Sequence, residues 1–238
     1  MDFLRFTGEA FIYSVLIGCG GVVVVAFTVA IFSAIGIDAQ RFATEYIAVV
    51  GGCAIPVVAV FLVEAKRSIV ENLAPVLARI FSPLVFLVVL AFLVAMPLTG
   101  KGPLEGREFL IAFDLMLALV LGLVAYVISA HREADKPSAS DYVSVALIAV
   151  TLIADGVALA VMISRLSSFG VSPNRLAALG ENIALLVNLA GLAALSLRFI
   201  LRKGSFGALV RWQTAYLPVY AIWAAFVALG FPPIFGFR

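Results

Sequence analysis

The chain has 238 residues, 64% of them hydrophobic and 13% charged, with 16 Lys+Arg against 14 Asp+Glu and a net charge of +2. Soluble domains are roughly 45–50% apolar and about 25% charged, and so few charges cannot clothe a water-facing surface of this size. Composition therefore excludes an ordinary soluble domain, and the small, scattered charge, without a basic block interleaved with aromatics, excludes a nucleic-acid partner.

A hydrocarbon core of roughly 30 Å takes about 20 apolar residues to cross, and seven such stretches are predicted. They run from about Phe11 to Ser33, Ala43 to Glu64, Arg79 to Leu98, Phe109 to Ala130, Tyr142 to Ile163, Leu176 to Ile200 and Ala215 to Phe237. The expected fold class is all-α, a polytopic transmembrane helical bundle of about seven spans. The connections are short, so residues 1–238 read as a single integral-membrane domain. The first span exceeds the apolar length of a cleaved signal peptide and follows a single basic residue, Arg5, so it reads as retained.

The breaks between spans are built from turn formers and charges. Thr99-Gly100-Lys101-Gly102-Pro103 separates the third span from the fourth, and a charged link from His131 to Pro137 separates the fourth from the fifth. Ser140-Asp141 is the expected cap of the fifth span. Ser172 is the expected N-cap of the sixth, with Pro173 in its first turn. Two connections have an interfacial pattern: Lys66 to Phe81, with Ile69, Leu73, Leu77 and Ile80 at helical spacing, and Leu201 to Gln213, which mixes Arg202, Lys203 and Arg211 with Phe206, Leu209 and Trp212. Anionic lipid headgroups suit both, as does the plainer account of positive loops anchored by an aromatic.

Lys and Arg set the expected orientation. Ten fall on the N-terminal side of the membrane, namely Arg5, Lys66, Arg67, Arg79, Arg132, Lys136, Arg198, Arg202, Lys203 and Arg211. Six fall on the other side, namely Arg41, Lys101, Arg107, Arg165, Arg175 and Arg238. The bias places the N-terminus in the cytoplasm and the C-terminus outside.

Chemistry is confined to a few polar groups inside the spans. An ionised carboxylate near mid-membrane is costly, so such a group faces protein or water, finds a partner, or stays protonated. Asp155 is nearest the centre of its span and shares a helix face with Ser144 and Thr151. Asp114 lies on a stripe with Ala118, Ala125 and Ser129, and Glu181 on one with Ala184, Asn188 and Gly191. Small residues let helices approach closely, so spans four, five and six are expected to converge on an acidic pocket in the outer half of the bilayer. Its expected lining is Asp155, Asp114, Glu181, Asn188 and Thr151. The alternatives are that Asp114 and Glu181 sit at the interface, and that Asp155 is a neutral acid bonded to a facing Asn188 or Thr151 that only ties helices together.

No metal site and no cofactor are expected. Cys19 and Cys53 lie in apolar runs and His131 is the sole histidine. No nucleophile elbow, P-loop or dinucleotide fingerprint is present. Asp114 and Asp155 on adjacent spans raise an intramembrane aspartyl protease as a remote alternative, but their flanks, Ala112-Phe113-Asp114-Leu115 and Ala154-Asp155-Gly156, carry neither the Tyr-Asp nor the Gly-x-Gly-Asp signature.

The connection from Ile163 to Leu176 reads Ile-Ser-Arg-Leu-Ser-Ser-Phe-Gly-Val-Ser-Pro-Asn-Arg-Leu. It resembles the Arg-x-x-x-aromatic-Gly-x-Thr/Ser-Pro-x-Arg pattern in the C-terminal part of an uncharacterised bacterial polytopic membrane family, domain of unknown function forty-one fifty-three. The likeness runs from about Ile163 to Leu195, more weakly through Tyr216-Leu217-Pro218-Val219-Tyr220 and Pro232-Pro233. It implies a bacterial inner-membrane protein and no assigned activity. In physical terms Gly170 supplies a turn, Pro173 starts a helix, and Arg165 and Arg175 flank the link at the membrane surface. Two functions remain open: a transporter-like protein built on the acidic pocket, and a non-catalytic subunit or scaffold with a membrane-protein partner.

Overall fold

The computed structural model describes residues 2–65, 73–99, 107–129 and 137–236. Seven helices are long and apolar enough to cross a membrane. We label them α1 (Asp2–Ala34), α2 (Gln40–Glu64), α3 (Leu73–Leu98), α4 (Arg107–Ser129), α5 (Ala139–Phe169), α6 (Pro173–Ile200) and α7 (Phe206–Phe235). The protein is an all-α polytopic bundle, as its composition requires. In lipid a backbone must satisfy its own hydrogen bonds, and helices do so within one segment.

Local sequence explains most of the ends. Helix α1 stops at Gly36, whose φ of 75° is costly for other residues. There the Ile37 N–H donates to the Phe32 carbonyl at 3.0 Å and the Gly36 N–H to Ser33 at 2.9 Å, the paired bonds of a Schellman stop. Helix α5 begins one residue pair earlier than Ser140-Asp141 suggests. Ser138 is the N-cap, and the Asp141 carboxylate at the third helical position accepts from the Ser138 N–H at 2.7 Å. Helix α6 starts at Ser172 and Pro173 as expected, though the Ser172 hydroxyl makes no capping bond.

Helices α2 and α7 each contain a π-helical turn, Ala43–Ile47 and Phe226–Gly230. Prolines 56, 83, 97 and 218 lie inside helices, which membrane helices tolerate better than soluble ones. The segment from Leu201 to Gln213 is not a separate interfacial helix. Leu201–Gly204 is a tight turn, and Phe206 and Leu209, both buried in the bundle, belong to the opening turns of α7. The reason is that burying those two side chains against protein continues the membrane helix. Of the companion segment Lys66 to Phe81, residues 66–72 lie outside the described residues and the remainder, from Leu73, is the opening of the membrane-length helix α3; the turn at 100–106 and the charged link at 130–136 also lie outside the described residues.

Helix α4 is the centre of the bundle and packs against α1, α3, α5 and α6. Its inner face is apolar and bulky, with Phe113, Met116, Leu117 and Val120 wholly buried. Edge-to-face rings extend this core across helices, Phe92 on Phe113 at 5.6 Å and Phe32 on Phe92 at 6.1 Å. The expected small-residue contact stripe on this helix is absent, since Ala118 and Ser129 are exposed. Large side chains that interlock with α1 and α3 form the contact instead. Helix α2 rests chiefly on α1, and α7 on α6. Outward faces carry Phe11, Val22, Val57, Phe61, Leu87, Ile153 and Ile222, an apolar surface suited to lipid rather than water.

Candidate functional site: an acidic cluster between α4, α5 and α6

Three helices bring polar side chains together inside this apolar frame. On α5, Ser144, Thr151 and Asp155 are all buried, so the polar stripe read from their spacing does face protein. Thr151 donates its hydroxyl to the Leu147 carbonyl of its own helix at 2.8 Å. It therefore does not bridge to Asp155, because a threonine on a helix can satisfy its hydroxyl locally.

The partner of Asp155 comes from α6 and is Asn182, whose Nδ2 donates to Asp155 Oδ1 at 2.7 Å. Both residues have 0% exposure. The same Asn182 side chain also bears on Asp114 of α4, and Glu181 and Asp155 both lie within electrostatic reach of Asp114. Asp114 is half-buried and Glu181 is exposed beside the cluster. Among the described residues, five buried side-chain oxygens have no hydrogen-bond partner, and three of them meet in this cluster: Asp114 Oδ1, Asp155 Oδ2 and Asn182 Oδ1; the other two, Ser144 Oγ and Gln213 Oε1, are not part of it. Buried acceptors are nearly always satisfied, and each orphan costs about 1–3 kcal/mol.

Asn188 is not part of this cluster. It lies six residues beyond Asn182, about 9 Å along the axis and some 240° around it, and it faces α7. Its Nδ2 donates to the Tyr220 hydroxyl at 2.8 Å, and Trp212 Nε1 donates to its Oδ1 at 2.8 Å. Tyr216 adds a bond from its hydroxyl to the Ala184 carbonyl at 2.9 Å. The small residues of α6 thus receive aromatics of α7, not the acidic spans. A Cβ on Gly180 would overlap Trp223 and one on Gly191 would overlap Trp212.

The loop motif folds as a rigid hairpin. Gly170 takes a φ of 74° after α5, Pro173 opens α6, and Arg175 Nη1 donates to the Gly170 carbonyl at 3.0 Å. Arg175 thereby closes the end of the preceding helix with a cation, a favourable placement at a helix C-terminus. Arg165 sits in the last turns of α5, and its side chain lies outside what is described.

Sequence reasoning placed Asp114, Asp155 and Glu181 near one another but missed Asn182. A buried amide on α6 was the available signal, masked by its exposed neighbour Glu181. Among the described residues no group of three or more His, Cys, Asp or Glu could hold a metal ion. Comparison with family models, with curated proteins and with solved structures gives no match for this chain.

Proposed function

We propose that this multi-pass membrane protein is transporter-like, with the Asp114–Asn182–Asp155 cluster as the site that takes the charged species it moves. The observation that carries this is the set of three buried acceptor oxygens, contributed by three different helices, that lack donors. A bundle that only needed adhesion would be held as well by apolar packing, whereas ionisable groups in a membrane interior mark ion and proton pathways. On the Lys/Arg bias the N-terminus lies in the cytoplasm of a bacterial inner membrane and the C-terminus outside. The cluster then lies in the outer half of the bilayer, towards the ends where α4 and α6 begin. The family likeness at Ile163–Leu195 accords with that membrane. Exposed Arg198, Arg202, Lys203 and Arg211 then face the cytoplasmic headgroups and suit anionic lipid.

The test is reconstitution of the full chain in proteoliposomes, with flux of protons and small cations followed under an imposed gradient. Asp155→Asn should fold and lose the flux by at least about tenfold. A wild-type protein with no flux above empty liposomes, or an Asp155→Asn variant that carries it undiminished, rejects the proposal.

A second reading, a subunit or scaffold, is favoured by one feature. On α2, Gly51 and Gly52 are exposed with nothing within 4 Å of a Cβ. They line a groove of about 340 Å³ with α1 and α3. A helix of a partner could approach closely there, and mild-detergent purification with mass spectrometry would show it. The aspartyl-protease alternative needs, beyond two carboxyls able to share a proton, an attacking water and a substrate that reach both of them. Asn182 bonds to one and bears on the other, and Asp155 has no exposed surface to meet either.

A further inference from the structure

We infer that the cluster holds a single proton, shared between the carboxyl groups of Asp114 and Asp155 across the Asn182 side chain. This deepens the transport proposal, rests on the same cluster as its working site, and names the bound species as the hydrogen ion. Hydrogen-bond accounting drives it. Two carboxylates and an amide oxygen are all acceptors, and Asn182 has only its Nδ2 protons to give, one of them to Asp155 Oδ1 at 2.7 Å. Asp114 Oδ1, Asp155 Oδ2 and Asn182 Oδ1 are left without donors. A proton on either carboxyl turns an orphaned acceptor into an O–H donor in a cluster that lacks donors and removes one of two negative charges there. No other bond forms or breaks. The carboxylate takes the proton from water and returns it there.

A metal cation fits the same place less well. Hard cations such as calcium take six to eight oxygens and keep water around them, whereas Asp155 and Asn182 are sealed at 0% exposure and the cluster offers three unused oxygens. A proton needs one. The titratable groups facing the site are Asp114 from α4, Asp155 from α5 and Glu181 from α6. Helix α3, which packs on both α4 and α5, has Arg79 as its one charged residue, near its start. Helix α1, which packs on α4, has charges only in its opening turns, at Asp2, Arg5 and Glu9, followed by Tyr13. Helix α7 brings Arg211, Tyr216 and Tyr220 to the far side of α6, where the two tyrosines bond along α6.

Infrared difference spectroscopy on the full chain in nanodiscs tests this directly. Water-exposed carboxyls are ionised at neutral pH, so a protonated-acid C=O band that shifts in heavy water reports a sheltered proton. The expected result is such a band at pH 7 in the wild type, reduced at least about twofold by Asp155→Asn or Asp114→Asn. Asn182→Ala keeps both acids and should move the band's titration midpoint by about one pH unit or more. Should either Asp variant fail to fold, the wild-type band and the Asn182→Ala midpoint still decide. No protonated band at pH 7, or a midpoint untouched by Asn182→Ala, overturns the shared proton. Flux of a metal cation without the band would also overturn it while leaving the transport proposal standing. The band without any flux would do the reverse.

Discussion

Burial turns a single amide into the organising residue of the cluster. Asn182 is the only described side chain that donates a hydrogen bond to Asp155, and no part of either is exposed. Asn182→Leu fills similar space and withdraws that donor, leaving both Asp155 oxygens without partners. The expected cost is about 1–3 kcal/mol, read as a lower midpoint in thermal unfolding of the detergent-solubilised protein. Thr151→Val provides the contrast. The threonine hydroxyl bonds only to the Leu147 carbonyl, which its helix already engages, so the expected loss is about 1 kcal/mol or less. Equal losses for the two would mean that the Asn182 bond has no special weight. Asp155 and its neighbours were legible in the sequence because a carboxylate amid apolar residues stands out. Asn182 was not, because an asparagine next to a glutamate reads as an interfacial pair until its own face of the helix is known.

Helix pairing has its own logic, and it differs between α6's two sides. Towards α5 and α4 the helix offers Asn182. Towards α7 it offers Gly180, Ala184, Asn188 and Gly191, each one helical turn or so from the next. Helix α7 answers with Trp223 at Gly180, Tyr216 at Ala184, Tyr220 and Trp212 at Asn188, and Trp212 again at Gly191. Rings touch one another along α7, Trp212 tilted against Tyr216 at 5.6 Å and Tyr216 edge-to-face with Tyr220 at 5.4 Å, so the aromatic face is stiff before it meets the small one. Gly191→Ala should therefore cost about 1–3 kcal/mol, because the Trp212 ring has to move and with it the bond to Asn188. Gly156→Ala, with nothing within 4 Å of the new Cβ, should be neutral or stabilise by up to about 1 kcal/mol. Thermal unfolding of the two variants side by side checks both. Of the stripe Glu181, Ala184, Asn188 and Gly191, the last three lie on a contact face, but that face meets α7 and Glu181 is exposed. The spacing could not say which neighbour fills it, since small residues accept a ring as readily as a second backbone.

At the scale of the whole molecule, seven helices are long and apolar enough to cross a membrane, and the proposed topology, in which each crosses once, predicts that the two chain ends lie on opposite faces. Reporter fusions to the N- and C-termini should report opposite compartments in intact cells, with the N-terminal one cytoplasmic if the Lys/Arg bias holds. The same compartment for both would require a different number of crossings. Helix α4 is the hub against which α1, α3, α5 and α6 pack, so the cluster it shares with α5 and α6 is anchored in the best-packed part of the bundle. Helices α2 and α7 lie at the periphery.

The medium, the helical class and the number of spans were determined by the sequence alone, because transfer of apolar surface and backbone satisfaction act on each segment separately. The stops at Gly36 and Gly170 were equally local. Which polar groups meet was decided only by tertiary structure. Folding α5 and α6 symmetrically about their connecting turn would set Asp155 against Val187, next to Asn188. In the fold Asp155 lies 14 residues before the end of α5 while Asn182 lies only nine after the start of α6. That offset of a turn and a half is a packing outcome with no trace in the local sequence.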